Sequence, residues 1–441
     1  MKVVLCLNHF LPAVIAGTEV YTLNLAKALK VMGAEVVVLI PNLGVNVTDE
    51  YYYEDIRVIR YAENSIEDRN MILGKTKPGG VATFINILKN ENPDIVHFQE
   101  LAPGKGISIF HVEAAWSLKI KIVLTCHVAN YSCNTGNLKY KDEDLCDGEI
   151  KLLKCTACSY HARDITGVKR AILSVGARLM FSGGINSTNW NTSLGTALGF
   201  PFIIATKKEE LLRLEKMVNK IVVLTQWYKR ILEINDIQPR KLLYISQGLP
   251  GRSIATLSAT SSAPPLKLVF IGRISYLKGV HLILKALQQL SPSKISLDIY
   301  GADREDEYAL NCKQIAATMH NVKWIGSIDS HKVIDLLAGY DLLCLPSTFS
   351  EMSPLVIQEA FAAGIPVLAS DVYGNAEQIK DGINGWLFKF KSSADLQNKL
   401  TRLIDQPGLI NEAKKAVPAT KAFAEVASQY YELYNSILEH Q

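Results

Sequence analysis

The stretch LLCLPSTFSEMSPLVIQEAFAAGIPVLAS, residues 342–370, decides the fold of this 441-residue chain. It begins with a short apolar run, Leu342–Leu345, and closes on another, Pro366–Ala369. Between them, Leu355–Ala363 has the apolar content and length of a buried helix. Strand, loop, helix and strand in this order predict parallel strands with a helix packed across them.

The same alternation continues in both directions along the chain. Runs that are continuous in Val, Ile and Leu are typical of strands buried on both faces of a parallel sheet. We therefore predict an α/β protein made of two facing Rossmann-like, doubly wound domains with a deep cleft between them. The other predicted strands are Val3–Leu7, Glu35–Ile40, Ile56–Tyr61, Ile95–Phe98, Ile120–Thr125, Ile221–Leu224, Leu243–Ile245, Leu266–Ile271, Ile295–Tyr300 and Val322–Ile325.

The segment Ser253–Pro265 separates the two halves. It is rich in Ser, Ala, Thr and Pro and has no periodicity, which predicts a linker. A single core stops growing at about 250–300 residues, so two domains are expected for this length. We predict an N-terminal domain over 1–252 and a C-terminal domain over 266–441. One option for the last predicted helix, over about 411–439, is that it crosses back to the N-terminal domain.

Composition limits the class of protein. Hydrophobic residues make up 48% and charged residues 20%, which is typical of a globular chain, and a net charge of +4 does not indicate a nucleic-acid partner. Met1–Asn8 predicts a strand and not a signal peptide, and no window of about 18 residues is apolar enough to span a bilayer. We expect a cytoplasmic protein.

Positive charge is concentrated between Lys151 and Arg230, which contains 13 Lys or Arg and 4 Asp or Glu. One interpretation is a solvated basic face on a helical region. The other is a surface for anionic lipid headgroups or a phosphorylated acceptor, which would place the protein peripherally at the inner membrane face.

The loops that follow the strands carry the chemistry, because ligands of open parallel sheets bind at the carboxyl ends of the strands. Gly272–Gly279 places Arg273 and Lys278 in a glycine-bounded loop that leads into a helix. Backbone N–H groups at a helix start, together with two cations, suit a diphosphate. The alternative is a basic loop with no ligand.

Two glutamates follow strand Leu342–Leu345. Glu359 lies in the helix among apolar neighbours, and a buried carboxylate is costly unless it is hydrogen-bonded. The two hydroxyls of a ribose would supply such bonds; capping of a neighbouring loop or pairing with a buried Arg is the alternative. Glu351 precedes the helix and would face a sugar.

The C-terminal half contains four motifs in succession: Glu351-x7-Glu359, Gly364-Ile-Pro-Val367, Gly374-Asn-Ala-Glu377 and Asp381-Gly-Ile-Asn-Gly385. Together they resemble the retaining glycosyltransferases of family 4, the group 1 glycosyltransferases with the GT-B fold. The loop with Arg273 and Lys278 is similar to the diphosphate site of that family. The resemblance is specific in the C-terminal half and general in the N-terminal half.

The resemblance implies transfer from a UDP- or GDP-linked sugar to a saccharide or lipid-linked acceptor, in surface polysaccharide or glycoconjugate synthesis. The transferred group would be a hexose or N-acetylhexosamine, the anomeric configuration would be retained, and catalysis would require no cofactor. Arg273 and Lys278 would hold the diphosphate and offset charge on the leaving group. Glu351 would contact the sugar and Glu359 the ribose. Donor-binding backbone would come from Gly272, Met352, Ser353, Pro354 and Leu355.

In the N-terminal half, the family often has two glycines where this chain has Ala16-Gly17. Gly17 would let the backbone approach the donor phosphates; a simple helix-entry glycine is the alternative. His97 is either a core histidine or a site residue. His127 follows strand Ile120–Thr125, where the family commonly has a His near the donor sugar and acceptor. The resemblance therefore adds His127 to Arg273, Lys278 and Glu351 as catalytic residues.

Four of the eight cysteines lie within 26 residues, in a predicted insertion at about 130–165. Four thiolates can form a tetrahedral zinc site, and two of these cysteines have the Cys-x2-Cys spacing of metal ligands. Disulfides and free thiols stay open as alternatives. The four residues are Cys133, Cys146, Cys155 and Cys158.

Two other functions fit the same fold. One is a nucleotide-sugar epimerase, against which the Glu351-x7-Glu359 pattern argues. The other is a non-catalytic nucleotide-sugar-binding module, against which the joint presence of Arg273, Lys278 and both glutamates argues.

Overall fold

The chain forms two compact units. Unit 1 contains Met1–Ser246 and Phe423–Gln441, and unit 2 contains Gln247–Ala422. The predicted linker, Ser253–Pro265, lies outside the described residues except for Pro265. The computed structural model describes residues 1–65, 69–102, 106–250, 265–302 and 306–439.

Unit 1 is built around an eight-stranded sheet in which all neighbouring strands are parallel except the pair at one edge. Its strands are β1 (Lys2–Cys6), β2 (Glu35–Leu43), β3 (Asp49–Tyr53), β4 (Ile56–Glu63), β5 (Ile95–Phe98), β6 (Lys121–Cys126), β9 (Lys220–Val223) and β10 (Leu242–Tyr244). A separate antiparallel pair is formed by β7 (Lys139–Tyr140) and β8 (Asp144–Leu145). The order across the large sheet is β10-β9-β6-β5-β1-β2-β4-β3.

Strand β3 was not expected from the sequence. It runs antiparallel to β4 at the edge of the sheet and has no fully buried residue. Its sequence, DEYYY, therefore lacks the Val, Ile and Leu content by which the other strands are recognised.

The helices of unit 1 cover its parallel sheet, and the last of them comes from the end of the chain. They are α1 (Gly17–Val31), α2 (Arg69–Ile72), α3 (Val81–Glu91), α4 (Ile109–Ser117), α5 (Leu152–His161), α6 (Gly167–Ser182), α7 (Ser193–Leu198), α8 (Phe200–Met217), α9 (Gln226–Ile234) and α17 (Phe423–Glu439).

Helix α17 packs on α1 and is bonded to the sheet by a buried polar network. The Tyr434 hydroxyl lies 2.6 Å from His97 Nδ1, and His97 Nε2 lies 2.7 Å from Thr125 Oγ1. Thr125 Oγ1 also contacts the Tyr430 hydroxyl at 3.0 Å, and Tyr21 donates to the same hydroxyl at 3.0 Å. Burial holds the pKa of His97 well below its usual value, so the ring is neutral. His97 is therefore a satisfied core histidine.

The single helix predicted over about 411–439 is in fact two helices. Helix α16 ends at Lys415 and α17 begins at Phe423. Pro418 lies between them, and proline lacks the N–H that would continue the helical hydrogen bonds.

Unit 2 contains a six-stranded sheet, parallel throughout, in the order β13-β12-β11-β14-β15-β16. Its strands are β11 (Leu266–Ile271), β12 (Ile295–Tyr300), β13 (Val322–Gly326), β14 (Leu342–Leu345), β15 (Val367–Ser370) and β16 (Gly385–Phe388); its helices are α10 (Val280–Leu287), α11 (Glu307–Ala316), α12 (Val333–Leu337), α13 (Leu355–Ala362), α14 (Tyr373–Ala376), α15 (Ser393–Asp405) and α16 (Gly408–Lys415).

Successive residues of a central strand of unit 2 enter different cores. Leu268 and Phe270 pack into one apolar cluster, and Val269 between them packs into another. Because side chains alternate between the faces of a strand, both faces of this sheet are covered. The doubly wound pattern predicted from 342–370 is thereby confirmed.

Gly279 allows the loop after β11 to approach the loop after β14. Its φ is +72°, and a Cβ there would lie 1.9 Å from the Pro346 carbonyl oxygen. Gly326 also has a positive φ, +98°, but a Cβ there would meet nothing within 4 Å. Substitution of the two glycines therefore distinguishes the cost of backbone strain from the cost of a steric clash.

We expect Gly279→Ala to destabilise unit 2 by at least about 2 kcal/mol more than Gly326→Ala, because only the first adds a clash with backbone to the strain of a left-handed residue. Chemical denaturation of both variants measures the difference. Equal losses would show that the two loops do not depend on this close approach.

Candidate functional site

Two loops of unit 2 meet at the carboxyl ends of β11 and β14. Residues 272–279 follow β11 and residues 346–354 follow β14. The Thr348 amide donates to the Leu277 carbonyl at 2.8 Å, and its hydroxyl donates to the Tyr276 carbonyl at 2.8 Å. These bonds bring together the two motifs that the sequence analysis selected.

Lys278 and Glu351 form a half-buried ion pair at this junction. Lys278 Nζ lies 2.5 Å from Glu351 Oε1, and the Ser347 hydroxyl donates to the same oxygen at 2.7 Å. Their side chains are only 17% and 9% exposed, respectively. The cation predicted for the diphosphate and the carboxylate predicted for the sugar are thus in direct contact.

Arg273 lies at the start of the first loop and is exposed. Within residues 265–302 and the other described ranges, no hydrogen bond or ion pair of its guanidinium is found. The loop therefore has one paired cation, Lys278, and one that is available to an anion from solution.

The chain around Glu351 depends on a close approach by Gly374 of α14. A Cβ on Gly374 would lie 2.1 Å from the Glu351 carbonyl oxygen and 2.7 Å from that of Met352. Helix α13 begins one residue after Pro354, and the first N–H groups of a helix lack intrahelical acceptors. Met352–Leu355 therefore lies where a ligand could accept hydrogen bonds from the start of α13.

Glu359 lies on α13 beside the buried residues Ala360, Phe361 and Ala362. Burial raises the pKa of its carboxyl group from 4.5 to about 7. The described residues offer its side chain no hydrogen-bond or ion-pair partner, so neither the loop cap nor the buried Arg considered from the sequence is found among them. Near neutral pH this group would gain from an external hydrogen-bond donor.

His127 of unit 1 is hydrogen-bonded within its own unit. Its Nε2 lies 3.0 Å from Gln99 Oε1, and its ring packs edge-on against Tyr21 with a centroid distance of 4.8 Å. Burial lowers the pKa of His127 to about 3, so the imidazole is neutral at pH 7. Gln99 also contacts His97, a bridge between two strand ends that no local spacing in the sequence could indicate.

Gly17 is the first residue of α1, as predicted. A Cβ at this position would meet nothing within 4 Å. The fold of unit 1 therefore does not itself require glycine here.

The four clustered cysteines line one small cavity of about 20 Å³. Cys133 Sγ lies 3.3 Å from Thr135 Oγ1, and Cys158 Sγ donates to the Lys139 carbonyl at 3.3 Å. Among the residues that the structure describes, no group of three or more His, Cys, Asp or Glu side chains is placed to hold a metal ion. A zinc site would therefore require the thiols to rotate towards one point, and it stays a prediction.

A cavity of about 550 Å³ in unit 1 was not anticipated from the sequence. Lys75, Arg163, Lys207 and Glu210 are among the residues that line it. Lys207 Nζ donates to the Asn130 carbonyl at 2.6 Å, and burial lowers the pKa of this lysine. The lining residues are scattered between positions 72 and 210, so only the fold brings them together.

Over the described parts of the chain, no helix combines the length and the apolarity needed to cross a bilayer.

Known protein families match both units. The family described as glycosyl transferases group 1 matches residues 259–422, and Glycosyltransferase Family 4 matches residues 15–144. Among curated relatives, an uncharacterized glycosyltransferase of Methanocaldococcus jannaschii is 28% identical over 179 residues, which are 39% of this chain and 45% of that protein. The match thus spans less than half of that relative's length.

Solved structures resemble the whole chain. A glycosyltransferase from Rickettsia africae has a TM-score of 0.65 at 17% identity, covering 100% of this chain and 99% of that one. An Anabaena protein solved with UDP and glucose has a TM-score of 0.62 at 16% identity, covering 99% and 100%. At such identities the likeness concerns the fold, and it confirms the predicted α/β class with two parallel-sheet domains.

We expect Glu359→Gln to stabilise the ligand-free protein at pH 8 but to have little effect at pH 5. The raised pKa means that the stability contributed by the protonated group is complete below about pH 4.5 and is lost as the pH rises through about 7. The gain at pH 8 is at most about 3 kcal/mol. Thermal melts at the two pH values measure it, and a gain that does not change with pH would contradict a carboxyl group whose pKa is raised by burial.

For the cysteine cluster, elemental analysis of freshly purified protein is expected to find about one zinc per chain. Cys155→Ser with Cys158→Ser should remove the metal, whereas Cys312→Ser, on α11 of unit 2, should retain it. Metal-free wild-type protein with four titratable thiols would contradict the zinc site and leave free thiols as the interpretation.

Proposed function

Because the chain belongs to the group 1 glycosyltransferases, we propose that it transfers a hexose or N-acetylhexosamine from a UDP- or GDP-linked sugar to a saccharide or lipid-linked acceptor. The observation that carries this proposal is the junction of two loops in unit 2. There the Lys278–Glu351 pair follows the ends of neighbouring strands, together with Arg273 and Glu359, whose side chains have no partner among the described residues.

The donor diphosphate would bind at Arg273 and Lys278. When the bond between the anomeric carbon and the phosphate oxygen breaks, negative charge accumulates on the leaving diphosphate. Cations fixed at that position stabilise the transition state more than the ground state. The amide groups at the start of α13, after Pro354, add N–H donors without adding charge.

Lys278 can serve the diphosphate while it remains paired with Glu351. An ammonium group has three N–H donors, and Glu351 uses one of them. Glu351 in turn has oxygen lone pairs left for a sugar hydroxyl next to the phosphate. The contact between the two side chains therefore supports adjacent binding positions for the phosphate and the sugar.

The ribose would bind Glu359. Two vicinal hydroxyl groups donating to this carboxylate would compensate for its burial, which nothing described in the chain does. Nucleotide binding should therefore lower the pKa of Glu359, and binding should be tighter when the carboxylate is ionised.

Retention of the anomeric configuration would require no protein nucleophile in this proposal. If the acceptor attacks from the face that the diphosphate leaves, a leaving phosphate oxygen can take the acceptor proton. Arg273 and Lys278 supply positive charge that a divalent cation would otherwise provide, which supports metal-independent transfer. His127, neutral and bonded to Gln99, would offer a hydrogen bond and not a positive charge.

The acceptor would use unit 1. The cavity of about 550 Å³ combines Lys75, Arg163 and Lys207 with Glu210, Asn134 and Thr206, which suits an acceptor with both hydroxyl and phosphate groups. This chemistry supports a phosphorylated, lipid-linked saccharide in surface polysaccharide or glycoconjugate synthesis in the cytoplasm.

A thermal-shift screen against UDP, GDP, ADP and their common sugars, without added metal, tests the donor site. Ligand at about 100 times its Kd should add about 2.7 kcal/mol of stability. For the nucleotide that binds, the affinity should weaken as the pH falls from 8 to 6, because Glu359 becomes protonated near pH 7. Isothermal titration measures that dependence.

Matched variants test whether Glu359 causes the pH dependence of nucleotide binding. Glu359→Gln should weaken binding at least tenfold at pH 8 and remove the pH dependence, whereas Glu412→Gln, on α16 in the same unit, should leave both unchanged. If Glu359→Gln binds like the wild type, the ribose is held elsewhere. If no nucleotide binds, the proposed donor site is wrong.

A further inference from the structure

Helix α6 exposes a stripe of large apolar side chains. Val168, Ile172, Val175 and Leu179 are between 62% and 76% exposed. Their spacing of four, three and four residues places them within about 60° of arc on one side of the helix. A stripe with this spacing is normally the buried side of a helix.

The opposite side of α6 is already buried within unit 1. Leu173 and Ala177 are buried in an apolar cluster with Tyr160 of α5 and Phe200 of α8, and Met180 packs against that cluster. The exposed stripe is therefore a second apolar face, which the fold of unit 1 leaves in contact with solvent.

Basic side chains border the stripe on both sides. At about 100° per residue, Lys169 lies to one side of it and Arg178 to the other. Both are exposed, and within the described ranges neither has an ion pair or hydrogen bond from its side chain. Arg170, also on α6, adds a third positive charge, and the helix has no acidic residue.

The surrounding segment has the same character. Residues 151–200 contain six Lys or Arg and a single acidic residue, Asp164. This segment also holds eight of the 21 exposed large apolar side chains of the described residues. Besides the stripe, these are Leu153, Ile185, Trp190 and Leu194.

We propose that the α6 stripe, with Lys169 and Arg178 at its borders, docks unit 1 on an anionic membrane surface. An apolar face bordered by cations is what a helix lying in the plane of a lipid interface requires: the apolar side chains enter the acyl boundary and the long basic side chains reach the headgroups. The docking does not depend on the proposed transfer activity.

The charges at the border of the α6 stripe favour an anionic membrane over a second copy of the chain as its partner. A contact between two α6 stripes would have Lys169 and Arg178 of both copies at its edges, and α6 has no acidic residue to pair with them. Such a contact adds like charges without a complementary partner, which is unfavourable. Anionic headgroups instead match the border of the stripe, and each basic residue near such a surface contributes to binding.

Co-sedimentation with vesicles tests the proposal on the full chain. The wild type should bind vesicles of phosphatidylcholine with 30% phosphatidylglycerol (about one lipid in three) and bind pure phosphatidylcholine much less, with binding reduced by salt. The variant Ile172→Gln, Val175→Gln, Leu179→Gln should bind the anionic vesicles at least tenfold less. Lys169→Gln with Arg178→Gln should reduce the dependence on anionic lipid severalfold.

A matched triple variant controls for the loss of exposed apolar side chains in general. Val31→Gln, Leu310→Gln and Ile325→Gln change residues that are also exposed, on α1, α11 and β13. This variant should bind vesicles like the wild type, and all variants should keep the wild-type melting temperature within a few degrees.

Two results would overturn the docking. One is equal vesicle binding by the wild type and the α6 triple variant. The other is no vesicle binding by the wild type together with a dimer, seen by sedimentation velocity, that the α6 triple variant abolishes; the stripe would then be an interface between copies.

Discussion

The close contact between the loops after β11 and β14 is the constraint on which the candidate site depends. Gly279 makes it sterically possible, and the bonds of Thr348 to Tyr276 and Leu277 fix its register. Only with the loops in this register can Lys278 reach Glu351, 73 residues further along the chain. The charges of the site are therefore set by backbone packing between two strand ends and not by the side chains alone.

Unit 1 relies on a different kind of interaction, a buried polar network with almost no access to water. His97, Thr125, Tyr430 and Tyr434 satisfy one another, and Gln99 extends the network to His127. A network of this kind gives specificity, because a displaced helix would leave several polar groups buried without partners. Burial keeps His127 neutral, and its bond to Gln99 orients the ring.

Much of the fold could be predicted, because runs of Val, Ile and Leu indicate strands that are buried on both faces of a sheet. Strands β11, β12 and β14 begin and end where the sequence indicates. The two glutamates and two cations of unit 2 were likewise identifiable, because each lies in a loop or helix directly after a strand. The features that escaped prediction did so for different reasons. Edge strand β3 lacks the apolar signal, and the 550 Å³ cavity draws on residues that no spacing connects. Whether Glu359 has a partner also depends on the whole fold, and the described residues offer its side chain none.

The origin of α17 has a consequence for synthesis of the protein. Residues 1–246 cannot complete their own unit until Phe423 and the residues after it are available, because Tyr430 and Tyr434 close the polar network around His97 and Thr125. During synthesis, the whole of unit 2 is made before that helix. The nascent first unit must therefore wait with part of its core open to water while the second unit, later in sequence, can already be complete.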